Sequence, residues 1–435
     1  MNYISLVLGS GILLFIVYFW SMRMREIADS RRWVPVFDPN KDTSLPKSPP
    51  RISVIVPARN EEALIGTCLR SILAQDYPNL EIICVDDRST DRTAEIVGKL
   101  FEGRTNCHLI SITELPVGWT GKCHALYEGV KYASGEWLAF LDADSSLHKA
   151  ALRQCLHEAI QRKINFVTLS PKFILDTFWE KALIPLFAAT AAMILPLAKV
   201  NDPGSPVATA NGMFFIISRM AYERIGGHSS VKDFAVEDIG IGKRVKANGL
   251  GILFANGRNL LQTKMYFGLR EVLNGWTRIL AGAMNFKLLT VLKHLLLHIL
   301  VGLPSFALGT FLYTESAMEL WPSLWFLLPL ACLLQIVIIP GFFLDQAGFP
   351  KKYSVYFLLG NLMLIWIFVV IIKKIIFRDP LQWSGTTYNY TRYQPTSLEP
   401  QVIQLSSTNR GFTPIMTVND SETSERPSSS SVRDP

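Results

Sequence analysis

The stretch Gly135 to Ser145, GEWLAFLDADS, restricts the fold more than any other part of the chain. Trp137 to Leu141 is a nearly continuous apolar run of strand length, the pattern of a β-strand covered on both faces, and it ends abruptly in Asp142-Ala143-Asp144. Carboxylates are seldom buried without partners. At the carboxyl end of a parallel strand they face the crevice where open α/β sheets take their ligands. Two acids one residue apart can there share a divalent cation, magnesium or manganese, with a diphosphate. The competing reading is an Asp pair in an ordinary strand-to-helix turn, so the surrounding chain has to decide.

From Arg51 the sequence alternates strand and helix patterns: Ile52 to Val56, a helix from about Glu62 to Ala74, Glu81 to Val85, and a helix from about Arg92 to Phe101. Such alternation predicts a parallel α/β sheet. The first strand runs into Pro57-Ala58-Arg59-Asn60-Glu61 and the second into Asp86-Asp87-Arg88-Ser89-Thr90-Asp91, so polar clusters gather at the edge that holds Asp142 and Asp144. Ser89, Thr90 and Asp91 are equally good helix caps, and at least one is expected to be no more than that.

Of the 435 residues, 49% are hydrophobic, and the mean hydropathy of +0.24 is high for a soluble protein. Tyr3 to Met22 is apolar and long enough to span a bilayer, with Arg23 and Arg25 after it rather than before it, which predicts an uncleaved anchor over residues 1–22. The net charge of +7 invites a nucleic-acid reading, but the basic residues cluster beside apolar segments, at Arg31 and Arg32 and at Lys373, Lys374 and Arg378. That is the positive-inside pattern of a multi-pass membrane protein with its α/β domain on the cytosolic side, and no nucleic-acid partner is expected. Leu288 to Tyr313, Leu320 to Leu344 and Val355 to Phe377 can each span, which defines membrane helices over 288–377. Three crossings would put the tail outside, against its basic flank, so the first segment is read as re-entrant. Residues 397–435, rich in Ser, Thr, Glu and Pro, are expected to be disordered. Trp179 to Val200, also apolar, is read as an interfacial segment interrupted at Pro185 and Pro196, against a buried helix pair as the plainer alternative. Six cysteines without a CxxC pair read as reduced and structural.

Several motifs fall away. Gly240-Ile-Gly242 and Gly249-Leu-Gly251 lack the third glycine of a dinucleotide fingerprint, and Gly118-Trp-Thr-Gly121-Lys122-Cys123 is too short for a P-loop. His294 and His298 share a helical face without the glutamate of a metalloprotease, and read as polar contacts within a membrane bundle.

RISVIVPARNEE, IICVDDRSTD, FLDADS and VEDIGIGKRVKANG, in that order, resemble the motifs of family 2 inverting glycosyltransferases of GT-A fold, over roughly Arg51 to Arg278. LPVGWTGKCHALYEG, WEKALIPLF and the late WSGTTY further resemble membrane-bound members that glycosylate lipids: hopanoid-associated, carotenoid and ceramide glycosyltransferases. The resemblance implies a GT-A α/β domain over 51–287. It implies that Pro57, Arg59 and Glu61 line the nucleotide pocket, that Asp87 recognises uracil with Asp86 beside it, and that Asp142 and Asp144 hold the divalent cation and diphosphate. It places Lys122 near the nucleotide sugar, although a surface lysine near a helix start reads the same way, and makes Asp238 of Glu237-Asp238 the catalytic base. It also fails at one point. Polymer-making members carry Q-x-x-R-W, whereas Val272 and Gly275 precede Trp276 here and leave Arg278 as the nearest replacement, which speaks against processive synthesis.

The expectation is transfer of a sugar from a nucleotide donor, a UDP-sugar, to a membrane lipid hydroxyl. A polyprenyl-phosphate acceptor is the nearest rival. A degenerate scaffold or sensor is opposed by intact acids at every matched motif, and a nucleotidyltransferase by the lack of a glycine-rich loop with Arg after the first strand.

Overall fold

The computed structural model describes residues 15, 18–26, 28–29, 32–41, 43–232, 234, 236–302, 339–379, 381–383 and 386–388. Residues 1–14, most of Leu320 to Leu344, Cys332 and the 397–435 tail lie outside the described residues. In chain order the elements that position the site are β1 (Ile52–Ala58), α1 (Ile65–Leu73), β2 (Leu80–Asp87), α2 (Thr93–Phe101), β3 (Cys107–Ile112), α3 (Gly121–Tyr132), β4 (Trp137–Leu141), β5 (Ser145–Leu147), α4 (Ala151–Gln161), β6 (Phe166–Ser170), β7 (Lys172–Phe173) and α5 (Phe178–Ile194). They continue with β8 (Phe214–Ser218), α6 (Glu237–Ala247), β9 (Ile252–Asn256), β10 (Leu261–Thr263), α7 (Leu269–Ala283), α8 (Leu288–Gly302), α9 (Ile339–Gln346), α10 (Phe357–Phe377), β11 (Leu381–Trp383) and β12 (Thr386–Tyr388).

The main sheet has seven strands in the order β3-β2-β1-β4-β8-β6-β9. β1 pairs in parallel with both β2 and β4, so the strand order reverses there and the crevice opens beyond the carboxyl ends of these three strands. Ile55 lies opposite Phe140, which carries Asp142 to the level where β1 gives way to its polar turn. The sheet is mixed rather than wholly parallel: β8 runs antiparallel to both β4 and β6. The reason is the path of the chain. After β6 it leaves at the crevice edge, makes α5 and a loop, and returns at the same edge, where Met213 accepts a hydrogen bond from the Asp142 amide. A strand entering there has to run down. Apolar cores fill both faces, Ile52, Val54 and Leu69 on one and Ile55, Phe140 and Phe215 on the other. Cys68, Cys84, Cys107, Cys123 and Cys155 are free and buried, as a reduced domain requires.

A third core joins α5, α7, α8 and α10, including Phe187, Trp276, Leu280, Phe368 and Ile371. Thr177 and Glu180 form a reciprocal capping box that starts α5, and the helix runs through Pro185 without the expected interruption, ending only before Pro196. Pro185 costs one backbone hydrogen bond, and packing against α7 and α10 compensates for it. The first apolar segment is helical past Met22 through residue 26, and Arg23 there is buried and paired with Glu26. Lys351–Phe377 is the one helical run among the described residues long and apolar enough to cross a bilayer, with a mean hydropathy of 2.6; Leu288–Leu300 is shorter. Asn361 of α10 bonds His298 of α8, so this histidine is an interhelical contact, as read from the sequence.

Candidate active site

The turns after β1 and β2 are built as one unit. Asn60 and Arg88 both adopt left-handed backbone conformations, φ 55° and 58°, which reverse the chain directly beyond each strand. Asn60 Oδ1 accepts the Thr90 amide at 2.8 Å, Ser89 Oγ accepts the Asn60 amide, and Asp91 accepts the amides of Glu62 and Thr93. Ser89, Thr90 and Asp91 therefore lace the loops together. Arg88 grips the Asp87 carboxylate at 2.8 and 3.2 Å, with Arg59 4.0 Å away. Asp86 is also buried, and its Oδ1 has no hydrogen-bond partner among the described residues. Of the two acids expected at a nucleobase, it is Asp86 that retains an unused acceptor. Pro57 sits within β1 opposite Val85, half-buried at the rim.

Lys122 joins the two acid pairs. Thr120 caps α3 by accepting the Cys123 amide, which sets Lys122 in the first turn. Its Nζ lies 2.7 Å from Asp142 Oδ1 and 2.7 Å from Glu237 Oε1, so strand β4 and helix α6 are tied through one ammonium. Gly121 before it has no room for a side chain, since a Cβ would lie 2.4 Å from Asp87 Oδ2. The lysine is thus part of the crevice and not a surface charge. Burial in the crevice raises its acids: Asp144 reaches about 7 through desolvation and the neighbouring Asp142, and Glu61 about 8 through desolvation, Asp144 and Asp142. Asp144 is oriented by Ser145 and Thr263 hydroxyls.

The Glu237-Asp238 pair divides its roles by environment. Burial opposes ionisation of Glu237, but the charge and hydrogen bond of Lys122, with Arg278 and a backbone amide, together outweigh it and hold that carboxyl below its ordinary value. Asp238 is pushed the other way, to about 7, by desolvation and then by Glu237. Paired groups driven apart in this manner mark an acid/base assignment. The Gly212 amide donates to Asp238 Oδ2, and a Cβ at Gly212 would stand 2.9 Å from that oxygen and 3.2 Å from Lys122 Nζ. Behind them His228 is fully buried, its Nδ1 2.9 Å from the Tyr222 hydroxyl.

On α7, Arg278 lies within electrostatic reach of Asp142 and Glu237. The place a side chain at Gly275 would take is filled by Tyr266, whose hydroxyl would be 2.3 Å from a Cβ there. That hydroxyl is buried, has no hydrogen-bond partner among the described residues, and faces the field of Arg278 and Asp144. Trp276 packs on Phe187 at 5.7 Å. Gly212, Thr263 and Tyr266 were not legible as site residues, because none belongs to an acidic or basic motif.

The chemistry of this donor set fits a divalent cation. Glu61, Asp142, Asp144, Glu237 and Asp238 outnumber the cations Lys122 and Arg278 that face them, and burial first, with the neighbouring acids after it, raises the carboxyls of Glu61 and Asp144. Among the described residues no set of three or more His, Cys, Asp or Glu side chains is arranged to hold an ion alone. A hard cation kept by one or two carboxylates and completed by substrate phosphates needs no such set.

An open α/β sheet with acids at its switch point, linked by a lysine to a second acid pair at a helix start, is in keeping with the GT-A arrangement expected from the sequence. Residues 53–226 match the model of Glycosyl transferase family 2. It is 29% identical over 247 residues to a 4,4'-diaponeurosporenoate glycosyltransferase of Staphylococcus aureus strain USA300, a match covering 55% of this chain and 64% of that relative. Among solved structures, it is similar to the mannosyltransferase PcManGT from Pyrobaculum calidifontis in complex with GDP-Man and Mn2+, at 21% identity, 82% and 98% coverage and a TM-score of 0.49. It is also similar to S. aureus TarS 1-349 in complex with UDP-GlcNAc, at 16% identity, 78% and 97% coverage and a TM-score of 0.37.

Proposed function

We propose that the protein transfers a hexose from a nucleotide sugar, a UDP-sugar, to the hydroxyl of a membrane lipid with inversion at the anomeric carbon. The observation that carries this reading is the Lys122 bridge between Asp142 and Glu237, which sets the acids suited to a diphosphate beside Asp238. Asp142 and Asp144 would hold a magnesium or manganese ion with the diphosphate. When bound, that ion offsets the charge of the leaving diphosphate. Asp238, ionised and oriented by the Gly212 amide, takes the proton of the attacking hydroxyl as its oxygen bonds the anomeric carbon. The bond from that carbon to phosphate breaks, and the nucleoside diphosphate leaves with the electron pair. Lys122 and Arg278 face the same charge from the protein side. Asp86 and Asp87, with Arg59, Pro57 and Glu61, bound the space for the nucleoside.

The helical layer supports a membrane acceptor. α5 packs against α10, the spanning-length helix, and large apolar side chains on this layer are exposed, among them Leu289 at 82% and Trp366 at 57%. The similarity to an enzyme named for a carotenoid acid favours a long apolar acceptor. The hairpin of β11 and β12 lies beside α7, which supports placing the tail on the domain's own, cytosolic, side of a cell membrane. The test is to incubate membranes holding the protein with a panel of nucleotide sugars and to identify the modified lipid by mass spectrometry. Labelled polyprenyl phosphate in place of a hydroxylated lipid would mark the rival acceptor class.

A further inference from the structure

A cleft opens between the N-terminal helical segment at residues 18–26 and helices α5, α8, α9 and α10, on a different side of α5 from Trp276. It is a groove open to the outside, and the free space along its walls, open solvent included, is about 650 Å³. Phe19, Leu186, Ala189 and Leu297 make its lining apolar, and Arg23, His298 and Asn361 place polar groups in it.

Two of those polar groups are unsatisfied in complementary ways. Asn361 Nδ2 donates to the His298 carbonyl at 3.0 Å, which turns its Oδ1 to His298 Nδ1 at 2.8 Å. An amide oxygen only accepts, so Nδ1 carries the hydrogen, and in the neutral ring Nε2 is a bare acceptor. That Nε2 is buried with no hydrogen-bond partner among the described residues. Arg23 bonds Glu26 through Nη2, leaving its buried Nε–H without an acceptor. Arg23 and His298 are 6% and 7% exposed. Buried donors and acceptors are costly to leave unpaired, so an apolar occupant alone would not suit the cleft.

We infer that this cleft binds one membrane lipid, its chain along the apolar lining, a headgroup hydroxyl donating to His298 Nε2 and a phosphate oxygen accepting from Arg23 Nε. The inference rests on the membrane reading of the helical layer and not on the transfer chemistry.

The test uses the full chain in phosphatidylcholine nanodiscs doped with a photoactivatable phosphatidylglycerol, whose headgroup carries hydroxyls beside a phosphate. Crosslinks are expected on peptides holding Leu186, Ala189 or Leu297. Ala189→Trp, which fills the cleft, should remove them, and Arg23→Gln and His298→Phe should each weaken labelling about tenfold, the effect of one buried hydrogen bond. Far-UV circular dichroism and melting verify that each variant folds. If Ala189→Trp fails to fold, competition on the wild type decides: unlabelled phosphatidylglycerol should displace the probe and phosphatidylcholine should not. Labelling that persists in folded Ala189→Trp, crosslinks confined to other surfaces, or equal displacement by both lipids would overturn the site. Labelling is read without turnover, so a chain that takes lipid in the cleft but transfers no sugar would end the transferase reading and leave this one standing.

Discussion

Lys122 shows what residue-level reading can and cannot reach. The acids it joins stood out in the sequence because they interrupt apolar runs, whereas the lysine's own role depends on two partners distant in the chain, Asp142 and Glu237. Gly212 and Tyr266 carried no signal at all, since their importance lies in what approaches them. Asp87, expected at the nucleobase, is held by Arg88 with Arg59 4.0 Å away, and Asp86 beside it, expected at the same place, has a buried oxygen without a partner among the described residues. Asp238→Asn retains shape and hydrogen bonding but cannot take a proton, so transfer should fall by about a hundred- to ten-thousand-fold while donor affinity holds. A near wild-type rate would remove Asp238 from the chemistry. The pH dependence follows from the raised value of this group, about 7. Below it Asp238 is protonated and idle, so kcat/KM should climb about tenfold per unit as pH approaches 7 and level off above it. A profile unchanged by pH through that range would contradict the assignment.

At the scale of elements, local pattern located β1, β2, β4 and α2 within a few residues, because each is a short apolar or amphipathic run bounded by polar turns. The direction of β8 was not legible. It is fixed by where the long excursion after β6 returns, and no periodicity records that. The fate of Pro185 was likewise misread, since a proline inside an apolar run reads as a break unless the neighbours that hold the helix together are known. α5 instead depends on its start. Glu180 is fully buried and its Oε2 accepts from the Thr177 amide at 2.7 Å, while Thr177 Oγ1 accepts from the Glu180 amide. Thr177→Ala should destabilise the protein by about 1 kcal/mol, the usual worth of such a cap. Thermal melts of the purified protein in detergent check this, and an unchanged midpoint would show that tertiary packing alone holds α5.

For the whole molecule, the claim is that one unit brings a nucleotide-sugar site to a bilayer. The basic residues flanking the first and last apolar segments predict that the domain and the residues after α10 share one side of the membrane. A cysteine introduced near Trp383 should therefore resist an impermeant thiol reagent in sealed cells, and its modification from outside would refute the placement. The central claim is tested most directly with the protein reconstituted in lipid vesicles and supplied with radiolabelled UDP-sugars, counting label in the organic extract. Wild type is expected to label lipid with at least one donor, and a chelator or Asp144→Asn is expected to abolish that labelling. Label that persists at full rate under chelation and in Asp144→Asn, or none with any nucleotide sugar, would contradict the account.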